Sequence, residues 1–248
     1  LHYPLRRQRQ MCIRDRELAI KSAKNVNFEK NMVSYIFNGV DVNKFKPKDK
    51  NKNLLNDLNL NEETKIIIST RRFEKKNGLR YLVKAIPDVI KVFPESRFII
   101  IGDFEGPVEL SDKNYIINYV KKYRLDNNVI FTGNILNENL VDYYSIADLT
   151  VLPSLIEAVS ISGLESIACG VPIVGSNVGG ISELIQNGKN GFLTEPRNSN
   201  DIANKIINLL KISDLSQMKI DSRDIAVNKF CWGNISLEVE NVYEKVLC

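Results

Sequence analysis

The stretch Leu149–Ser176, LTVLPSLIEAVSISGLESIACGVPIVGS, contains a complete strand–helix–strand unit. Its two ends, LTVL and PIVGS, are short apolar runs without alternation, which is typical of strands that are buried on both faces. Between them, Gly163–Cys169 is predicted as a helix that ends at Gly170, a residue common just after helices. Because parallel strands need such a crossover, this unit predicts an α/β fold with a parallel sheet.

The same alternation of short apolar runs and longer amphipathic stretches extends on both sides of this unit. Further strands are predicted at Lys65–Ser69, Arg97–Ile101, Val129–Thr132 and Gly191–Thr194. Further helices are predicted at Leu79–Val92, Tyr115–Tyr123, Asn137–Ala147, Ile181–Gln186, Asn200–Lys211, Asp214–Lys229 and Ser236–Val246. Six strands separated by helices indicate a doubly wound, parallel, six-stranded Rossmann-like sheet with flanking helices.

Composition excludes several classes of function. The 248 residues carry a net charge of +4, but residues 1–16 hold five arginines and one aspartate, so the rest of the chain is neutral. A neutral body argues against a broad nucleic-acid surface. No apolar run approaches the roughly 18 residues of a membrane span, and no signal peptide is evident. The four cysteines show no CxxC spacing, so we expect reduced thiols and a cytoplasmic protein.

Residues 1–16, LHYPLRRQRQMCIRDR, show neither a helical nor a strand period and break with the Lys/Asn-rich sequence that follows. We interpret them as a non-native scar; a basic arm that binds nucleic acid or membrane is the alternative. His2, the only histidine of the chain, lies in this segment. A Ser-His-Asp triad, a Cys-His pair and a histidine-ligated zinc are therefore not expected.

Two glutamates flank the start of the helix in the opening stretch. Glu157 lies in the loop after the fourth strand, and Glu165 lies inside the helix that follows. In such folds, ligands bind at the carboxyl ends of the strands, and a helix N-terminus there favours an anionic phosphate. The small residues Ser160, Ser162 and Gly163 let a ligand approach the backbone. Taken alone, the two acids could equally be placed to suit the helix dipole.

The pair of glutamates between LPS and ACGVPIV resembles the signature of retaining glycosyltransferases of the GT-B type, family 4. Seven further segments resemble family motifs in the same order along the chain. They are FNGVDVNKFKP at Phe37–Pro47, STRRFEKKNGLRYLVKA at Ser69–Ala85, IIIGD at Ile99–Asp103, VIFTGNI at Val129–Ile135, YYSIADLTVLPS at Tyr143–Ser154, GGISELI at Gly179–Ile185 and NGKNGFLTEP at Asn187–Pro196. The resemblance covers roughly 200 residues and implies the C-terminal, donor-binding half of a GT-B fold.

The resemblance also implies roles for single residues. Arg72 and Lys76 would bind the diphosphate of a nucleotide-sugar donor, and Glu157 would hold the transferred sugar; these three form the expected catalytic set. Glu165 would bind the ribose hydroxyls. Further donor contacts are expected from Ser160, Ile161, Arg71, Gly133, Ile135 and Gly180. The adjacent arginines leave the register of the phosphate loop open by one residue, and Gly180 could equally be only a turn.

The chain is expected to divide into four parts. Residues 1–16 are the scar, 17–60 form a connector or remnant of an absent N-terminal domain, 61–230 form the nucleotide-sugar-binding Rossmann-like domain, and 231–248 form a C-terminal helix. The family's acceptor-binding domain is not in the sequence, so we interpret the chain as a fragment.

Two function classes stay open at this point. The chain is either the donor half of a transferase that retains anomeric configuration, or an isolated nucleotide-sugar-binding module without activity of its own. A dinucleotide-dependent oxidoreductase would need a GxGxxG after the first strand, which is absent, and a glycosidase is less favoured than phosphate chemistry. We expect no cofactor, no metal and no nucleic-acid partner. The acceptor would be a glycan, a lipid-linked sugar or a small alcohol, and peripheral association with a membrane stays open.

Overall fold

The computed structural model describes residues 35–103 and 110–247. The interpretation of residues 1–16, including His2 and Cys12, therefore lies outside the described residues. The same is true of the first part of the predicted connector and of Cys248.

A six-stranded parallel sheet forms the centre of the molecule. Its strands are β1 (Ile66–Thr70), β2 (Arg97–Ile101), β3 (Val129–Gly133), β4 (Leu149–Leu152), β5 (Ile173–Ser176) and β6 (Gly191–Thr194). They lie in the order β3-β2-β1-β4-β5-β6, and every neighbouring pair runs parallel. The predicted doubly wound, Rossmann-like α/β fold is confirmed.

Helices cover both faces of the sheet. They are α1 (Lys52–Asp57), α2 (Leu79–Val92), α3 (Leu110–Lys122), α4 (Leu140–Ile146), α5 (Ile161–Ala168), α6 (Gly179–Leu184), α7 (Ser199–Leu210), α8 (Ser216–Phe230) and α9 (Trp232–Leu247). Each predicted helix is present with ends shifted by a few residues, whereas α1 was not predicted. Among the described residues, no helix combines the length and the apolar character that crossing a membrane requires.

Two hydrophobic clusters explain why the strands are apolar at consecutive positions. Ile66 and Ile68 of β1 belong to the cluster beneath α4, α5 and α8, whereas Ile67 belongs to the cluster beneath α2, α3 and α7. Successive side chains of a strand point to opposite faces, so both faces of β1 are buried. Burial of each such side chain contributes about 1.5–3 kcal/mol to folding.

The segment that precedes β1 packs onto the domain despite its polar composition. Val40, Phe45 and Leu55 are buried in the first cluster, and the backbone of Val40 pairs with Cys231. The guanidinium of Arg223 donates to the carbonyl oxygens of Val42 and Phe45 at 2.9 and 2.8 Å. The described part of the predicted connector is therefore attached firmly, while the domain boundaries themselves stay predictions.

The strand order places the topological switch point between β1 and β4. The chain runs outward from β1 through β2 to β3, and then returns to add β4 on the other side of β1. In folds with this strand order, the loops that follow the two strands at the switch point leave the sheet in opposite directions, and ligands bind between their carboxyl ends. Arg71 begins one of these loops, and Glu157 lies in the other.

Candidate functional site

A buried arginine forms the centre of the site. The Arg71 side chain is only 9% exposed, and its Nη2 lies 3.1 Å from Oε2 of Glu157. The guanidinium also donates to the hydroxyl oxygens of Ser162 at 2.9 Å and Ser160 at 2.6 Å. Burial lowers the pKa of Arg71, and the negative charge of Glu157 opposes that shift, so the guanidinium stays a cation. Its buried Nε has no hydrogen-bond partner among the described residues.

The N-terminus of α5 lies directly beside this cation. Ser160 caps the helix, since its hydroxyl oxygen accepts the N–H of Gly163 at 3.2 Å. Ile161, the first helical residue, is half exposed. A Cβ at Gly163 would lie 2.9 Å from side chains of Leu152 and Leu184, so glycine allows the helix to approach β4 closely. The guanidinium and the positive end of the helix dipole therefore combine at one point.

The loop that carries Glu157 is fixed from its far side by α6. The N–H of Gly180 donates to the backbone carbonyl of Glu157 at 3.2 Å. A Cβ at Gly180 would lie 2.2 Å from the carbonyl oxygen of Ala158, so no larger residue fits without a backbone shift. The Gly180 N–H is therefore used within the protein, and a role of Gly180 in ligand binding stays a prediction.

Glu165 lies in a different environment, one turn further along α5. Its side chain is buried; Oε1 accepts the side-chain N–H of Asn137 at 2.9 Å, and Oε2 lies 3.4 Å from the hydroxyl of Tyr144. Burial raises the pKa of Glu165, while the hydrogen bonds and the charges of Lys44 and Arg71 oppose the rise. Burial also raises the pKa of Tyr144 well above 10, so its hydroxyl stays a neutral donor.

Two residues of this group were not found from the sequence. Asn137 donates to Glu165, and its own carbonyl oxygen Oδ1 accepts a hydrogen bond from the ammonium of Lys44. Both lie in polar loops far from Glu165 in the chain, and nothing in their composition marks them. The only available signal was their location, since Lys44 lies inside the family-like segment Phe37–Pro47 and Asn137 lies just after the segment Val129–Ile135.

Arg72 and Lys76 lie apart from the buried cation. Arg72 Nε is 3.0 Å from one oxygen of Glu74, and Lys76 Nζ is 2.8 Å from the other; the two basic side chains are 53% and 55% exposed. Of the expected catalytic set, the structure therefore brings neither Arg72 nor Lys76 to Glu157. It brings Arg71 there instead, while the register of the phosphate loop and the roles of all three residues stay predictions.

The backbone of the β1 loop nevertheless contacts the loop after β4. The carbonyl of Lys76 accepts the N–H of Leu155 at 2.7 Å. Gly78 has φ +69°, and a Cβ there would lie 1.9 Å from the carbonyl oxygen of Pro153. This close approach fixes the two loops on either side of the switch point.

Gly133 and Ile135 lie at the carboxyl end of β3, along the same edge of the sheet. Gly133 has φ +70°, with open space at its Cβ position, and its carbonyl accepts the N–H of Gly102 at 2.9 Å. Ile135 is partly buried against the first hydrophobic cluster. Their predicted contact with a donor is untested. Within residues 35–103 and 110–247, no three His, Cys, Asp or Glu side chains group as metal ligands would.

Comparison with known proteins assigns this arrangement to a family. Residues 50–223 match the family model described as glycosyl transferases group 1. The chain belongs to this family. It is 29% identical over 216 residues to N-acetyl-alpha-D-glucosaminyl L-malate synthase of Bacillus anthracis, with 87% of this chain and 54% of that protein aligned. The chain spans about half the length of the curated relatives it matches.

Solved structures share the fold. The C-terminal domain of a glycosyl transferase group 1 family protein from Francisella tularensis aligns over its whole length with 78% of this chain, at 26% identity and a TM-score of 0.70. HepE of Anabaena, solved in complex with UDP, aligns over 63% of its length with 94% of this chain, at 22% identity and a TM-score of 0.82. The resemblance to the C-terminal half of a GT-B fold is confirmed.

Proposed function

We propose that the chain is the donor-binding part of a glycosyltransferase that moves a sugar from a nucleoside diphosphate with retention of anomeric configuration. The observation that carries the proposal is the buried Arg71 guanidinium beside the N-terminus of α5, at the switch point between β1 and β4. This site offers a fixed cation and helix amides to one anion, and a diphosphate suits both. In support, HepE was solved with UDP.

In this mechanism, Arg71 takes the role that was expected of Arg72. Its charge stabilises the nucleoside diphosphate as the bond between the anomeric carbon and the phosphate oxygen breaks. Its two Nη groups contact Ser160, Ser162 and Glu157, and its buried Nε–H has no partner among the described residues; we propose that a phosphate oxygen replaces Glu157 as its anionic partner when the donor binds. Lys76 is exposed, so its ammonium can leave Glu74 and turn toward the outer phosphate.

The two glutamates then serve opposite ends of the donor. Glu157, beside the phosphate cation, accepts hydrogen bonds from hydroxyls of the transferred sugar. Glu165, held by the Asn137 amide and packed beside the Tyr144 hydroxyl, accepts hydrogen bonds from the ribose hydroxyls. In the transfer step, the acceptor oxygen bonds to the anomeric carbon, and its proton passes to the departing phosphate oxygen on the same face. No side-chain base is required for this balance.

The acceptor and the cellular setting are proposals about a longer protein. We propose an acceptor glycan, lipid-linked sugar or small alcohol that is read by parts of the relatives' length which this chain does not span, in the cytoplasm or at a membrane surface. A second candidate function is a nucleotide-sugar-binding module without activity of its own. This candidate is supported by the alignment of the chain with the whole length of a C-terminal domain that was solved on its own. Transfer of labelled sugar to any acceptor by this chain alone would exclude it.

The donor proposal is tested by titrating the 248-residue chain with UDP, GDP and ADP in a calorimeter and in a thermal-shift assay. At a hundredfold excess over Kd, a ligand stabilises the folded state by about 2.7 kcal/mol, which a melting curve detects. One of the three is expected to bind and to raise the Tm. If none produces heat or a Tm shift, the donor proposal is wrong.

Metal independence is a further proposal. Because Arg71 and α5 supply the positive charge, we expect EDTA to change neither the Kd of the bound nucleoside diphosphate nor its Tm shift. Zinc or magnesium added after the chelator serves as the control. A loss of binding in EDTA that either metal restores would contradict the proposal.

A further inference from the structure

We propose that Lys44 and Asn137 are positioning residues that orient Glu165 to accept the ribose hydroxyls of the donor. This inference rests on the proposed function and extends it to two residues that no sequence motif assigned to the site. It concerns a chain of three side chains from separate parts of the fold: a cation, an amide and a buried carboxylate.

The direction of the amide carries the argument. Asn137 Nδ2 donates to Glu165 Oε1 at 2.9 Å, and Asn137 Oδ1 accepts from the Lys44 ammonium. An amide between a cation and an anion has one favourable orientation, because the reverse would place its N–H groups against the ammonium and its oxygen against the carboxylate. Lys44 therefore fixes which end of Asn137 faces Glu165.

The loop that carries Lys44 is built firmly enough for this task. The Asp41 carboxylate accepts the backbone N–H groups of Asn43 and Lys44 at 2.9 and 3.0 Å. Phe45, the next residue, is buried and packs edge-on against Tyr144 at a ring distance of 6.3 Å. The exposed lysine thus extends from an anchored backbone rather than from a free loop.

These contacts fix the orientation of the Glu165 carboxylate. Asn137 holds Oε1 and Tyr144 lies beside Oε2, so rotation of the carboxylate is restricted. A carboxylate held in one orientation can accept two vicinal hydroxyls at a lower entropic cost than a free one. Loss of Lys44 or Asn137 should therefore weaken recognition of the ribose and leave the diphosphate end unchanged.

The test compares a ribonucleoside diphosphate with its 2′,3′-dideoxy counterpart, using the base that the wild-type chain binds. Lys44→Met and Asn137→Ala should each weaken ribonucleotide binding about fivefold to tenfold and dideoxynucleotide binding less than twofold. The double variant should be no weaker than Asn137→Ala, since Lys44 acts through the amide. Lys46→Met, which removes an equal charge from an exposed position in the same segment, should change neither affinity.

The outcomes separate the two proposals. Equal losses for both nucleotides, or additive losses in the double variant, would overturn the positioning role while leaving donor binding intact. Equal affinity of the wild type for both nucleotides would show that Glu165 does not read the ribose, and would also overturn it. Absence of any nucleotide binding by the wild type would refute the proposed function, and the inference with it. An unchanged Tm of each apo variant confirms that folding is not the cause.

Discussion

The two ends of the site, centred on Glu157 and Glu165, differ in what holds the carboxylate. Glu157 faces a guanidinium at 3.1 Å, whereas Glu165 is buried against an amide and a phenol. A charge pair can be exchanged for another anion, but a buried carboxylate among neutral donors keeps its orientation. The two glutamates, eight positions apart, are therefore suited to different roles. Glu157 can exchange its cation with a phosphate, whereas Glu165 can accept hydrogen bonds in one fixed orientation.

Removal of the Arg71 side chain should have the largest effect on ligand binding at the Glu157 end of the site. We expect Arg71→Ala to lower nucleoside diphosphate affinity at least about 100-fold, because the charge-assisted contacts to phosphate are lost. It should also reduce the free energy of unfolding by about 3 kcal/mol, since Glu157 loses its partner in a mostly buried pair. Calorimetry and urea unfolding measure the two effects.

Arg72→Ala is the matched control, because it removes the same charge one position away. Arg72 is half exposed and pairs with Glu74, so its loss should change stability by less than about 1 kcal/mol and affinity only a few fold. If Arg72→Ala lowers the affinity more than Arg71→Ala does, Arg72 binds the phosphate, and the proposed role of Arg71 is wrong.

The scaffold beneath the Glu157 end can be tested at Gly78. In Gly78→Ala, the new Cβ would lie 1.9 Å from the carbonyl oxygen of Pro153, and the positive φ adds strain, so we expect a loss of about 3 kcal/mol in unfolding free energy. Gly188→Ala shares the positive φ, but its Cβ would meet no atom within 4 Å, so about 1 kcal/mol is expected. Equal losses would mean that the close approach to Pro153 contributes nothing.

The fold was accessible from the sequence because both faces of the sheet are buried. Consecutive apolar positions in β1 and β2, separated by an amphipathic helix at Leu79–Val92, allow few topologies other than the observed one. Helix α1 was not predicted, because it is only six residues long and shows little helical periodicity. Its Asn51 cap and the burial of Leu55 become informative only once the surrounding core is known.

The site was accessible only in part. The strand–helix unit pointed to Glu157, Glu165 and Ser160, whose ligand roles stay predictions. It did not reveal that Ser160 caps the helix, because the helix was predicted to begin at Gly163 and begins at Ile161. The sequence could not choose between Arg71 and Arg72, because adjacent residues of an extended chain point to opposite sides, and the choice depends on where β1 ends. Lys44 and Asn137 could not be found, since they are brought together across 93 positions of the chain.

The contrast between the two glutamates predicts different ligand preferences for two isosteric variants. Glu165→Gln should weaken a ribonucleoside diphosphate about tenfold more than the dideoxy form, because only the former presents hydroxyls to the carboxylate. Glu157→Gln should bind the bare nucleoside diphosphate as well as the wild type does, or slightly better, since a competitor for Arg71 is gone. It should lose the additional affinity of the full nucleotide sugar. If the two variants show the same affinities for all three nucleotides, the two glutamates do not bind different ends of the donor.

The smallest expected effect is the pH dependence of the Glu165 end. Burial raises the pKa of Glu165 in the folded state above its ordinary value of 4.5, while the facing groups Lys44, Arg71, Asn137 and Tyr144 modulate it. A raised folded pKa means that the folded state binds the proton more tightly. The stability contribution is therefore complete below pH 4.5 and is lost as the pH rises through the folded pKa.

Glu165→Gln isolates this contribution, because the amide does not ionise. The difference in unfolding free energy between the variant and the wild type should shift in favour of the variant as the pH rises from about 4 to 7. Ribonucleotide affinity of the wild type should move the opposite way and strengthen over the same range, as the carboxylate becomes the better acceptor. Denaturant melts and titrations at matched ionic strength measure both trends. A pH-independent difference in stability would show that Glu165 titrates at its ordinary value, and would contradict the effect of burial.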